Sequence, residues 1–144
     1  MGPTRVINHV VIDTSVVFKW FVGYGESSLD EAWKLLREHR EGRVTLIAPS
    51  LVRAEIANQL RFSGVNPDDA AALLANFDDS HVVCFHATAD RIKSALQCSF
   101  DNRVTVYDAL FLSLAQEFEC ELVTADRKAF GAVPPATAAV RLIL

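Results

Sequence analysis

Cysteine is scarce in the 144-residue chain and follows no pattern. Cys84, Cys98 and Cys120 stand far apart, are odd in number and form no CxxC pair, so a disulfide framework is not indicated. Reduced thiols packed in a core are the expectation. The four histidines, His9, His39, His81 and His86, show no HxxxH spacing. A zinc site is therefore not expected, and each imidazole is assigned core or surface duty. No apolar run approaches the length of a membrane span. The opening MGPTRVINHVVID has too short an apolar part, broken by a charge, for a signal peptide. The reading is a cytosolic protein. Positive charge is also in short supply, with a formal net charge of −4. That counts mildly against a nucleic-acid binder, although a bound cation would supply positive charge locally. Repeats, low-complexity tracts and linkers are absent.

What is present is a globular composition, 51% hydrophobic and 22% charged. The length fits one domain, residues 1–144, able to bury a core without disulfides or structural zinc. Strands alternate with helices. HVVI (9–12), TLIA (45–48), HVVCF (81–85), ELVT (121–124) and VRLIL (140–144) read as strands. Helices are expected over 15–21, from a capping box at Ser28–Glu31 to about Arg40, and from a Ser50 cap to about Phe62 with a stop at Gly64. Further helices are expected from Asn66-Pro67 to about Phe77, over 88–99, and from Thr105 to about Phe118. GPT near the start reads as an unstructured lead. Short apolar strands separated by helices imply an α/β fold, a three-layer α/β/α sandwich around a mostly parallel sheet with right-handed crossovers.

In such sheets, sites form beyond the carboxyl ends of the strands. Asp13 follows the first strand directly, and Asp126 follows the fourth after Thr124 and Ala125. Glu55 lies in the second turn of the helix leaving the second strand. Asp108 lies in the first turn of the helix feeding the fourth. Four acids far apart in sequence thus belong to one edge, although topology alone does not bring them together laterally. Each has a structural reading too. Asp13 and Asp126 can cap helices, and Asp108 completes the box Thr105-Val106-Tyr107-Asp108. Glu55 is harder to dismiss, because it neighbours the apolar row Val52, Ile56, Leu60, where a charge needs a partner. Taken together, the acids favour function. Crowded carboxylates raise one another's pKa, and a divalent cation removes that penalty. Oxygen-only ligands suit Mg²⁺ or Mn²⁺. Such an ion lowers the pKa of bound water and polarises a phosphoryl oxygen, so phosphodiester hydrolysis is the natural reaction. The hydroxyls of Ser15 and Thr124 could orient a ligand carboxylate, or serve as ordinary caps.

The ordered stretches VIDTSVVFKWF, APSLVRAEIANQL and TVYDALFLSLAQEFECELVTADRKAF resemble PIN-domain proteins, most of all the VapC-type toxin ribonucleases of prokaryotic toxin–antitoxin pairs. The likeness runs from about Val10 to Phe130. It implies a compact α/β/α fold and a Mg²⁺- or Mn²⁺-dependent endoribonuclease with an acidic site at Asp13, Glu55, Asp108 and Asp126. It places the family's small polar positions on Ser15 and Thr124. It also implies RNA as substrate, a homodimer and a small antitoxin partner. Basic residues near the acids by position are Lys19, Arg53 and Arg127; Arg61 and Lys128 read better as solvated charge. Tyr107 could stack on a base, although aromatic residues on apolar helices are usually core. Trp20 and Trp33 read as core or interface.

Rival readings fare less well. A haloacid-dehalogenase-type phosphatase needs a second acid two residues after the first, where Ser15 stands. A receiver domain needs an acid at the end of the third strand, which here reads CFHAT. A non-catalytic PIN-like scaffold would have lost one or more of the acids, and none is lost. A free-standing RNA-processing nuclease remains an alternative to a toxin.

Overall fold

The computed structural model describes residues 7–21, 29–134 and 139–143. In chain order the elements are β1 (His9–Ile12), α1 (Thr14–Phe21), α2 (Leu29–Arg40), β2 (Thr45–Pro49), α3 (Leu51–Arg61), α4 (Pro67–Asp79), β3 (Val83–Phe85), α5 (Ala89–Asn102), α6 (Val106–Glu117), β4 (Glu121–Thr124), α7 (Arg127–Phe130) and β5 (Ala139–Leu142). The strands form one sheet in the order β3-β2-β1-β4-β5, and every pairing is parallel. Central strands buried on both faces need continuous apolar side chains. Val11, Ile47, Leu122 and Val123 meet that need and have no solvent exposure.

The chain runs outward from β1 to β2 and β3, then returns to the other side of β1 for β4 and β5. With right-handed crossovers, the two directions put their helices on opposite faces. The α/β/α expectation is met. α6 packs beneath β1, β2 and β4, and it is buried continuously from Ala109 to Ala115. On the other face α1 packs against α2 and α3. The Trp20 indole N–H donates to the Ala32 carbonyl at 2.8 Å, tying α1 to α2. Trp33 is largely exposed instead. His39 is structural: Nδ1 accepts from the Leu46 N–H at 3.1 Å, and Nε2, 3.0 Å from the Ser80 carbonyl, therefore carries the proton. All three cysteines are free thiols. Among the described residues, no helix is long and apolar enough to cross a membrane.

Several boundaries differ from expectation. Ser50 does not cap α3: its backbone is already helical and its side chain makes no capping bond, while its N–H donates to the Phe85 carbonyl at 2.8 Å. A cap needs extended dihedrals, which that position lacks. β3 starts two residues late because α4 reaches Asp79 and His81 adopts φ 58°. α5 runs on to Asn102, ended by Arg103 in the left-handed conformation rather than by a glycine. Asn66 and Thr105 do cap as expected, accepting from the N–H groups of Asp69 and Asp108. The lead at 2–4, Ser28 of the expected capping box and Leu144 of the last strand lie outside the described residues.

Candidate metal-binding active site

β1 lies where the strand order reverses, and the crevice beyond the tips of β1 and β4 is the natural site of such a sheet. Asp13 leaves β1 there and is only 6% exposed. Two hydroxyls grip its carboxylate. Ser15 Oγ donates to Oδ1 and Thr124 Oγ1 to Oδ2, each at 2.5 Å, and the Ser15 N–H adds a bond at 3.1 Å. The same hydroxyls accept from the loop after β4. Ala125 N–H donates to Ser15 Oγ at 2.8 Å, and Asp126 N–H to Thr124 Oγ1 at 2.9 Å. Residues 111 apart in sequence are thereby clasped together. Ser15 and Thr124 do more than finish a helix or a strand edge.

Thr14, which the sequence reading left without a site role, donates from Oγ1 to Glu55 Oε2 at 3.1 Å. Its only sequence signal was a second hydroxyl beside Asp13. Glu55 is half-buried, held near the crevice by packing of α1 on α3. Asp108 is half-buried at the start of α6. Asp126 is exposed and does cap α7, with Oδ1 accepting from the Ala129 N–H at 3.0 Å. One of its oxygens is therefore engaged in the capping role.

Electrostatics show that the four acids share one neighbourhood. Burial pushes the Asp13 carboxyl from its ordinary 3.8 up to about 6; the hydroxyls of Ser15 and Thr124 pull it back in part, and the charge of Asp126 adds to the rise. Burial also raises Glu55, the Thr14 hydroxyl opposes this, and Asp108, Asp13 and Asp126 each push it further up. Asp108 is raised by burial and then by Asp126. Among the described residues, no lysine or arginine lowers any of the three, and none of the four acids forms an ion pair. The charge missing from the crevice is positive, and an all-oxygen donor set suits a hard divalent cation. Among the described residues, no three carboxylates, imidazoles or thiols gather tightly enough to hold an ion by themselves. Mg²⁺ does not require that, since it keeps several waters and commonly takes one or two carboxylates directly.

The basic candidates separate. Lys19 is 5% exposed, so burial removes it from a solvent-facing substrate surface. Arg53 is exposed, but its guanidinium pairs with Asp78 at 2.8 Å rather than facing the acids. Arg127 is exposed beside Asp126. Lys128, read as solvated charge, joins Arg103 around an open cleft of about 350 Å³ that also includes Asp108 and Asp126. Arg103 carried no sequence signal. Tyr107 is 65% exposed and not core.

The PIN domain family model matches residues 10–134 of this chain. The chain belongs to the PIN domain family. No curated protein matches it in sequence. Its fold is similar to that of several solved PIN-type proteins. VapBC2 from Rickettsia felis, bound to a DNA fragment from its promoter, aligns with TM-score 0.71 at 16% identity, covering 93% of this chain and 98% of that one. A toxin–antitoxin complex from Klebsiella pneumoniae aligns with TM-score 0.59 at 18% identity, covering 92% and 95%. VapC20 from Mycobacterium tuberculosis, described as a sarcin-ricin loop cleaving toxin, aligns with TM-score 0.60 at 20% identity, covering 86% and 96%. At these identities the likeness establishes the PIN fold.

Proposed function

We propose that this PIN domain is a Mg²⁺- or Mn²⁺-dependent endoribonuclease, the toxin of a toxin–antitoxin pair. The observation that carries the reading is the set of four acids in one mutual field, none of them in an ion pair among the described residues. Asp13, Glu55, Asp108 and Asp126 would hold the cation, directly or through water. When bound, the cation would lower the pKa of bound water and polarise a phosphoryl oxygen. The chain's own part is positional. Ser15 and Thr124 fix both oxygens of Asp13, and Thr14 fixes one oxygen of Glu55, so the carboxylates are ordered before substrate arrives. Arg103, Arg127 and Lys128 offer positive charge beside the acids, where phosphates of an RNA strand would lie. Three free thiols and the absence of a membrane-crossing helix among the described residues are in keeping with the cytoplasm.

Partners follow the same reading. The similar structures from Rickettsia felis and Klebsiella pneumoniae are complexes of toxin with antitoxin, which supports a small antitoxin for this chain. α5 leaves Ile92, Leu96 and Phe100 exposed in one row. We read that row as a homodimer contact.

The decisive experiment is cleavage of structured RNAs with Mn²⁺ and with EDTA. Mn²⁺-dependent cuts by the wild type that vanish in Asp13→Ala, with circular dichroism unchanged, are expected. Cleavage by Asp13→Ala at the wild-type rate would falsify the assignment.

A further inference from the structure

Beyond Glu55, an open cleft of about 620 Å³ extends away from the acids. Thr14 and Phe18 of α1 line it together with Glu55, Asn58, Gln59, Phe62 and Ser63. Glu55, Asn58, Gln59 and Phe62 occupy positions i, i+3, i+4 and i+7, so they follow one face of α3. At about 1.5 Å per residue, Phe62 lies about 10 Å along the axis from Glu55, a span suited to a nucleotide near a cut phosphate.

Three features of this cleft have no structural use. Phe62 is 74% exposed at the end of α3, where it buries little and supports no core packing. The Arg61 guanidinium sits over its ring, 5.0 Å from the centroid, building an aromatic and cationic platform. The side-chain amides of Asn58 and Gln59 are exposed and make no hydrogen bond among the described residues. Their donors and acceptors are free for a ligand. Aromatic rings stack bases, and amides read base edges through paired donor and acceptor bonds.

We infer that this cleft is a base-recognition subsite, in which one unpaired RNA base stacks on Phe62 and is read at its edge by Asn58 and Gln59. The inference rests on the nuclease reading and adds to it a source of target choice. A strand whose phosphates pass Arg103 and Lys128 would cross the acids and deliver its next base into the cleft. The subsite selects for single-stranded RNA, because a base held in a duplex cannot reach Phe62 with its edge free.

Fluorescence anisotropy in EDTA, where cleavage is blocked, tests this with labelled octamers of adenylate, cytidylate and uridylate and with a fully abasic octamer. The full-length wild type should bind the base-bearing octamers more tightly than the abasic one. Phe62→Ala should weaken base-bearing octamers by roughly 5- to 150-fold, the range of one lost stacking contact, with little change for the abasic octamer. Asn58→Ala with Gln59→Ala should narrow the spread among the three bases. Thermal melts serve as the fold check, and an exposed Phe62 predicts melts close to wild type. Unchanged affinity in Phe62→Ala would assign the cleft to another occupant, such as a protein segment, and overturn the inference. Equal binding of abasic and base-bearing octamers by the wild type would also overturn it. Either result with Mn²⁺-dependent cleavage intact leaves the nuclease reading standing. Base-selective binding without any cleavage would remove the nuclease reading and leave the subsite.

Discussion

The carboxyl tips of β1 and β3 lie on the same edge of the sheet, two strands apart, and treat ionised groups differently. Beside β3, Arg91 meets Glu117 through two bonds of 3.1 Å, donates to the His86 carbonyl at 3.2 Å, and lies over the Phe85 ring. Phe85 packs in turn on Phe118. Each charge there has an opposite within reach. Beside β1 and β4, the acids have hydroxyls and one another, and among the described residues none of them forms an ion pair. The first arrangement is complete within the polypeptide. The second is not, and that is a physical mark by which a candidate site differs from a structural cluster.

The sharpest way to break this contrast is to remove charge from the β1 tip. Asp13→Asn should abolish Mn²⁺-dependent RNA cleavage, a loss of at least about a hundredfold if the acid helps to hold the cation. Product analysis by gel checks it. The same variant should also flatten the pH dependence of stability. The Asp13 carboxyl lies near 6 in the folded protein against an ordinary 3.8. The fold therefore binds the proton more tightly than the unfolded chain. Stability from this group is full below about pH 4 and is lost as pH rises through about 6. The change amounts to about 3 kcal/mol, taking about 1.4 kcal/mol per pH unit. Metal-free melts from pH 4 to pH 7.5 should show the loss in the wild type and little of it in Asp13→Asn. Millimolar Mg²⁺ at pH 7.5 should restore stability to the wild type alone. A smaller effect is expected from Thr14→Val, which strips Glu55 of its hydroxyl. Loss of one such bond costs about 1 kcal/mol, and cleavage should slow by about three- to tenfold, read as initial rates. The smallest belongs to the β3 tip. Arg91→Ala breaks a partly exposed ion pair and should cost below about 1 kcal/mol in urea melts, with cleavage unchanged.

Legibility in the sequence followed burial. β1 and β4 fall on the expected residues because strands covered on both faces are uninterrupted apolar runs, and the side chains there leave little choice. The α3 and α4 boundaries near the Phe62–Pro67 turn were readable because Gly64 takes φ 92° and Asn66 caps by its side chain. Ser50 misled because a serine before a helix is the usual cap, whereas here a hydrogen bond to the β3 tip decides its backbone. The edge shared by the acids followed from topology. Their lateral approach did not, since it depends on how α1 packs on α3 and α6 beneath the sheet, and such crossings have no local signature. The burial of Lys19 and the pairing of Arg53 with Asp78 were hidden for the same reason. Long-range neighbours, not spacing, decide which charges face the crevice.

The Asp13 clasp has a consequence for synthesis. Asp13 and Ser15 are made well before Thr124 and Ala125, the residues that complete it. A nascent chain that stops short of those residues has its first carboxylate in hand and nothing to lock it against. Asp13 therefore waits unclasped on its far side while 111 further residues are made, and the crevice takes its shape only after both segments have left the ribosome.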